Sequence, residues 1–167
     1  GEQRQCCRTG QSQERAEQGV LDGYGHCSIR HPHAKERFFL SASLSPAVIA
    51  TGDIMEYDLD SNAVNANGRS SFLERFIHGE IYKARPDIMA AVHTHSPANL
   101  AVSAQKCGLL PITQQAMRFY NRVAHYKNEY DDTTPEGTRH MAAALGDKWH
   151  MLLENHGALV CGSTLPE

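Results

Sequence analysis

Three histidines have a type and spacing that suit a metal centre. His93 and His95 are two residues apart at the end of the apolar segment Ile88–Val92, and His156 follows the apolar segment Met151–Leu153. Residues two apart on a strand project from the same face, so both imidazoles can hold one ion. Three protein ligands leave a coordination position open, as in catalytic metal sites. Alternatively, a His-x-His pair at a strand end is hydrogen-bonded polar surface; the third histidine and a nearby carboxylate favour the metal.

Glu74 is the carboxylate that would accompany these histidines, and it has a competing interpretation. Ser71 and Glu74 have the spacing of a capping box, in which the glutamate accepts a hydrogen bond from the serine backbone amide. Local sequence alone favours the cap. Only the relation to the histidines favours a catalytic carboxylate. His78 lies one helical turn beyond Glu74, either behind the site or simply packed in the core.

The elements that must position these residues follow from apolar periodicity and capping signals. A helix is predicted from about Phe72 to Ala84, stopped by Arg85-Pro86, and a buried strand over Ile88–Thr94. Two further helices are predicted after Ser96-Pro97 and from Thr134 to Gly146. The predicted strands are residues 25–30, 37–41 and 53–58, which form an antiparallel meander, followed by 151–153 and 158–161. Helices interleaved with such a sheet indicate one layered domain.

Size and composition exclude several classes of protein. The chain has 167 residues, 41% hydrophobic and 21% charged, which suits a single globular domain. A net charge of −3 gives no basic footprint for nucleic acid or an anionic membrane. No apolar run approaches the roughly 20 residues that span a bilayer. The first residues lack the apolar core of a signal peptide, so we expect a cytoplasmic protein with reduced cysteines.

From Gly23 to Gly162 the sequence resembles the class II aldolase/adducin family. The most specific parts are Arg85-Pro86-Asp87 leading to His93-Thr94-His95, and the later Asn155-His156-Gly157. The resemblance implies an α/β/α domain with a central, mainly antiparallel sheet, and a homotetramer with active sites between subunits.

The resemblance also assigns roles to individual residues. It implies a divalent metal, usually zinc, on His93, His95 and His156, with Glu74 as the catalytic carboxylate. Imidazole equally accepts manganese, cobalt or iron. Adducin-like members of the family lose the metal histidines, whereas this chain keeps all three. That difference argues against a purely structural module.

The departures from the family's sugar-phosphate aldolases concern phosphate binding. Phe72 and Leu73 occupy the places of two phosphate-binding serines, and His26 replaces an asparagine. The Thr-Gly phosphate loop is replaced by residues 41–46. A phosphorylated substrate therefore becomes unfavourable, and the pattern is closer to the family's decarboxylases of hydroxylated aromatic or pyridine carboxylates. His26 and Ser43 are then candidates to bind a second carboxylate or a ring hydroxyl of a small-molecule carboxylate substrate.

The predicted activity is that of a metal-dependent carbon–carbon lyase. Decarboxylation and retro-aldol cleavage both leave an electron pair on carbon, which a divalent cation stabilises as an enolate. Glu74 would deliver or shuttle a proton to that carbon, and an apolar wall from Phe72 and Leu73 would favour loss of neutral carbon dioxide. The alternatives are an aldolase or epimerase on a small sugar or keto acid, an iron-dependent oxygenase, and a non-catalytic adducin-like module.

The predicted domain boundaries leave a short N-terminal segment outside the family-like region. Residues 1–22 are polar and carry no clear element, and residues 23–167 form the class II aldolase/adducin-like domain. Family members normally continue through C-terminal helices that help to close the site. We expect those helices to be missing from this sequence.

Overall fold

A seven-stranded sheet forms the centre of the molecule in the computed structural model, which describes residues 24–164. The strands are β1 (His26–Arg30), β2 (Arg37–Ser41), β3 (Ile54–Asp58), β4 (Ala90–Thr94), β5 (Val123–Tyr126), β6 (His150–Leu153) and β7 (Gly157–Gly162). The helices are α1 (Arg75–Ala84), α2 (Pro97–Ser103), α3 (Gln114–Met117) and α4 (Pro135–Leu145), with a 3-10 turn at Thr51–Asp53. The predicted N-terminal segment 1–22 and residues 165–167 lie outside the described residues, so the domain boundaries stay predictions.

The sheet has the strand order β3-β2-β1-β4-β7-β6-β5. Neighbouring strands are antiparallel except β5 and β6, which are parallel. The prediction of a single domain with helices around a central, mainly antiparallel sheet is confirmed. The antiparallel meander of the first three strands is also confirmed, with bounds that differ by one residue.

Helix α1 begins three residues later than predicted. Its N-cap is Glu74, which makes no side-chain capping hydrogen bond, so the capping box with Ser71 is not formed. The Ser71 hydroxyl instead accepts a hydrogen bond from the Tyr57 hydroxyl at 2.9 Å. The predicted helix end is confirmed, because the backbone N–H of Arg85 closes the last turn on Ile81. The glutamate side chain is therefore free of a local capping role.

Two apolar clusters hold the sheet. The larger cluster packs the buried residues of α1 and α4, among them Ile77, Ile81 and Met141, onto one set of strand side chains. The smaller one contains Cys27 and Ile49 with partly buried neighbours. Among the described residues, no helix has the length and apolarity needed to cross a membrane.

The N-terminus of α1 lies beside the ends of strands β1 and β4. This position is shown by the Glu74 carboxylate, which contacts His26 and His93.

Candidate metal centre

The ends of strands β4 and β6 bring His93, His95 and His156 together. His93 is the fourth residue of β4, and His95 follows the end of that strand. His156 lies in the tight turn between β6 and β7, where its backbone N–H donates to Leu153. β4 pairs with β7, and a Cβ at Gly157 would clash with the backbone of Thr94. The glycine therefore allows the close approach that brings His156 to the pair on β4.

The three imidazoles converge through their Nε2 atoms. The Nε2 of His93 lies 2.6 Å from that of His95 and 3.2 Å from that of His156, and the remaining pair is 2.9 Å apart. Including a carboxylate oxygen of Glu74, the four donor atoms lie within 4.8 Å of one another. Four tetrahedral ligands at about 2.0–2.1 Å from zinc lie about 3.3 Å apart. The spacing is that of donor atoms sharing one small cation.

The other ring nitrogens show why a cation suits this arrangement. The Nδ1–H of His93 donates to the Ala158 carbonyl at 3.2 Å, and that of His156 donates to Asp132 Oδ2 at 3.0 Å. In a neutral ring this leaves the lone pair on Nε2, so two lone pairs would face each other across 3.2 Å. That contact is repulsive unless positive charge lies between them. The donor set therefore fits a divalent metal.

The pKa values of the cluster follow from the same geometry. Burial acts to lower the pKa of His156, but hydrogen bonds to Asp132 and Glu74 raise it to about 9. Burial lowers the pKa of His93, which lies deepest. Without a metal, a proton on His156 thus supplies the positive charge, and a metal ion would replace that proton.

Glu74 projects from the start of α1 into this cluster. Its Oε1 lies 3.2 Å from His156 Nε2, and its Oε2 lies 3.2 Å from His26 Nε2 and 3.5 Å from His93 Nε2. Burial acts to raise the pKa of Glu74, yet the hydrogen bonds from His156 and His26 and the nearby imidazoles outweigh it and hold the pKa far below its ordinary range. The resting side chain is therefore a carboxylate.

The two predicted substrate-binding residues lie in different environments. His26 is buried on β1, and both its ring nitrogens have protein partners, His78 and Glu74. It is thus a direct neighbour of Glu74, and its role in substrate binding stays a prediction. Ser43 is exposed in the loop after β2, where its backbone N–H donates to Ser70. Its substrate-binding role stays a prediction.

The predicted apolar wall is formed only in part. Phe72 is buried, with its ring 4.7 Å from that of His26, but Leu73 is 71% exposed on the surface of this chain. The two residues precede α1 in an irregular turn, so they project in different directions. The expectation that both line the site is therefore wrong for Leu73 within one chain.

Two site residues had not been predicted from the sequence. Asp132 orients His156, and Tyr24 stacks on His95 with ring centroids 5.9 Å apart. Asp132 lies 24 positions before His156 in an irregular loop, so no periodicity connects the two residues. A carboxylate just before a capped helix start was the only available signal.

Comparison with known proteins agrees with this geometry. Residues 6–167 match the family described as Class II Aldolase and Adducin N-terminal domain. The chain belongs to this family. The family relation predicted from the histidine motifs is therefore confirmed. The family contains aldolases, a decarboxylase and non-catalytic adducins.

Three curated family members illustrate that range. The chain is 38% identical over 94 residues to the decarboxylase tropJ of Talaromyces stipitatus, an alignment covering 55% of this chain and 35% of that protein. It is 30% identical to a putative aldolase class 2 protein of Caulobacter vibrioides, covering 86% and 57%, and 33% identical to rat beta-adducin, covering 89% and 22%. The chain thus spans between about a fifth and somewhat over half of these relatives.

Solved structures of the family share the fold. An aldolase II superfamily protein from Pseudomonas syringae superposes with a TM-score of 0.83 at 33% identity, covering 98% of this chain and 66% of that one. L-fuculose 1-phosphate aldolase from Glaciozyma antarctica gives 0.79 at 27% identity, covering 98% and 64%. These superpositions support the fold of the described residues.

Proposed function

We propose that this domain is the catalytic part of a divalent-metal-dependent carbon–carbon lyase that decarboxylates a non-phosphorylated, hydroxylated aromatic or pyridine carboxylate. The observation that carries the proposal is the convergence of three imidazole Nε2 atoms beside the Glu74 carboxylate. The retained histidines favour an enzyme over an adducin-like module. The similarity to a fungal decarboxylase favours decarboxylation among the family's reactions.

His93, His95 and His156 would hold the metal, with zinc as the expected ion. When bound, a divalent metal acts as a Lewis acid toward the substrate's carboxylate and neighbouring hydroxyl. The Asp132 carboxylate and the Ala158 carbonyl hold two of the rings with Nε2 turned inward. We also propose a cytoplasmic homotetramer, in which a neighbouring subunit completes the site.

Glu74 is the proposed proton carrier. As a carboxylate it accepts the proton of the substrate hydroxyl and passes it to the ring carbon that loses carbon dioxide. The carbon–carbon bond to the carboxylate breaks, its electron pair stays on the ring carbon, and that pair forms the new carbon–hydrogen bond. The substrate oxygen then recovers a proton from water. Phe72, beside His26, gives this side of the site an apolar surface with no donor for a phosphate.

Metal content is the first experimental test. Purified protein should carry about one divalent metal per chain by elemental analysis, and the His93→Ala variant should carry none. His33→Ala is the matched control, because His33 is exposed in the turn after β1. Equal metal content in all three proteins would remove His93 from the metal site. Protein that stays metal-free even after incubation with a divalent metal would instead favour the interpretation as an adducin-like module.

Carbon dioxide release is the second test. A dihydroxyphthalate, a dihydroxybenzoate and a hydroxymethylpyridine dicarboxylate serve as probes, and Glu74→Gln should retain metal but lose about 100-fold or more in turnover. Cleavage of L-fuculose 1-phosphate instead would identify an aldolase. Oxygen consumption with bound iron would identify an oxygenase.

A further inference from the structure

Polar residues that are two apart on β1 and four apart along α1 face each other in the core beside Glu74. His26 and Ser28 alternate along β1, so their side chains leave the same face of the sheet. Glu74, His78 and Tyr82 are four residues apart at the cap and along α1, so they share one face of that helix. The two faces are packed together. Apart from Glu74, all of these residues are buried.

The contacts form one unbranched series from the site into the core. Glu74 Oε2 lies 3.2 Å from His26 Nε2, and His26 Nδ1 lies 2.7 Å from His78 Nε2. The Nδ1 of His78 lies 2.6 Å from the Ser28 hydroxyl, which lies 2.7 Å from the Tyr82 hydroxyl. We refer to His26, His78, Ser28 and Tyr82 as the His–Ser–Tyr network.

With a neutral His26 ring, the carboxylate fixes the direction of every bond in this network. A carboxylate only accepts, so His26 must donate from Nε2, and its neutral ring then accepts at Nδ1. His78 must therefore donate from Nε2 and accept at Nδ1 from the Ser28 hydroxyl. Ser28 in turn accepts from the Tyr82 hydroxyl. Each group donates once toward Glu74, and no two lone pairs or protons oppose each other.

We propose that the His–Ser–Tyr network is a one-directional series of hydrogen bonds that positions the Glu74 carboxylate. It presents a fixed N–H to Oε2 and leaves Oε1 directed at His156. The role rests on the proposed function, because that function makes Glu74 the proton carrier. Tyr82, Ser28 and His78 are positioning residues, since they act on Glu74 through His26.

The surroundings favour neutral side chains at His78 and Tyr82. Burial lowers the pKa of His78 well below its ordinary value. Burial raises the pKa of Tyr82, so its hydroxyl keeps the proton that it donates. Arg30 holds Tyr82 in place: its guanidinium lies 4.6 Å from the ring centroid and donates to the Tyr82 carbonyl. The alternative is a buried His26 imidazolium paired with Glu74, in which every bond beyond His26 runs the opposite way.

Nitrogen NMR of protein labelled with ¹⁵N in the histidine rings tests this direction without any substrate. Both His26 and His78 should be neutral with the proton on Nε2, and a scalar coupling should cross the hydrogen bond from His78 Nε2 to His26 Nδ1. Single replacements of each histidine by glutamine assign the signals. A doubly protonated His26, or a proton on Nδ1 of either ring, would overturn the proposal whether or not the protein is an enzyme.

Kinetics of serine variants test the positioning itself, using whichever of the three carboxylate probes releases carbon dioxide. Ser28→Ala leaves His78 without a donor and should lower kcat about tenfold, with KM and metal content unchanged. Ser28→Thr keeps the hydroxyl and should restore most of kcat. The control is Ser41→Ala, which removes a buried strand hydroxyl with no hydrogen-bond partner among the described residues.

Equal kcat in Ser28→Ala and Ser41→Ala would refute the positioning role. If none of the probes is turned over but the NMR shows both rings protonated on Nε2, the His–Ser–Tyr network stands and the proposed decarboxylation fails. The two proposals are therefore separated by the experiments.

Discussion

Replacing Asp132 should weaken metal binding without touching any proposed ligand. Its Oδ2 accepts from His156 Nδ1 at 3.0 Å, and the two side chains are only 15% and 13% exposed. Such partners fix the ring and raise the basicity of its other nitrogen, and their loss typically costs about 10- to 100-fold in metal affinity. That range corresponds to about 1.4–2.8 kcal/mol.

Two substitutions separate the contributions of charge and orientation. Asp132→Asn keeps an oxygen that accepts from Nδ1–H, so it removes the negative charge but preserves the tautomer. Asp132→Ala removes both. We expect affinity to fall in the order wild type, Asp132→Asn, Asp132→Ala, with the alanine variant near the weaker limit of about 100-fold.

The assay is competition for zinc against a chromogenic chelator at fixed pH. Asp131→Asn is the matched control, because it removes the same charge from the adjacent, exposed position, where the side chain accepts hydrogen bonds from Thr133. Wild-type affinity in Asp132→Ala would refute the argument that Asp132 prepares His156 for a metal. Equal losses in the asparagine and alanine variants would show that charge alone matters.

Three further predictions concern stability, measured as the free energy of unfolding in urea. Arg30→Leu removes hydrogen bonds to four backbone carbonyls and should lower the free energy of unfolding by about 3 kcal/mol or more. Its matched control is Arg37→Leu, which removes a half-exposed ion pair with Glu56 and should cost under about 1 kcal/mol. Gly79→Ala should cost about 1–3 kcal/mol, because its Cβ would clash with a backbone carbonyl, whereas Gly52→Ala meets nothing and should be nearly neutral. The third prediction concerns chelator-treated protein, in which burial lowers the pKa of His78 in the folded state. The free energy of unfolding should therefore fall as the pH drops below about 6.5, by up to about 1.4 kcal/mol per pH unit. His78→Gln should show a shallower loss. Equal costs within either matched pair, or equal pH slopes, would contradict the corresponding argument.

Apolar segments and capping residues predicted most of the fold, because these signals are local. Ser96 and Thr134 cap their helices through the side chain as expected, each followed by proline. Strand β5 was missed because Val123–Tyr126 has only four residues, too few for its alternation of more and less buried positions to stand out in the sequence. It exists because it pairs in parallel with β6, a contact that local sequence does not encode.

The start of α1 shows a local signal overridden by a distant contact. Ser71 and Glu74 have the sequence of a capping box, but the Tyr57 hydroxyl engages Ser71 and three histidines engage Glu74. These partners lie 14 or more positions away along the chain. The predicted metal site depended on the same kind of distant relation. Histidines at the ends of apolar segments suggested His156 beside His93 and His95, and the family resemblance then assigned all three to one metal.

The His–Ser–Tyr network depends on both local sequence signals and contacts between residues distant in the chain. Its separate halves were visible in the sequence, as polar residues two apart on a predicted strand and four apart on a predicted helix. Their partnership was not, because it depends on how far α1 is displaced along β1. A shift of α1 by one turn, about 5.4 Å, in either direction would break the contacts that His78 makes with both His26 and Ser28. Because a buried imidazole without partners is costly, the polar residues themselves penalise that shift. The network thus contributes to selecting the packing of helix on strand that also brings Glu74 to the histidines.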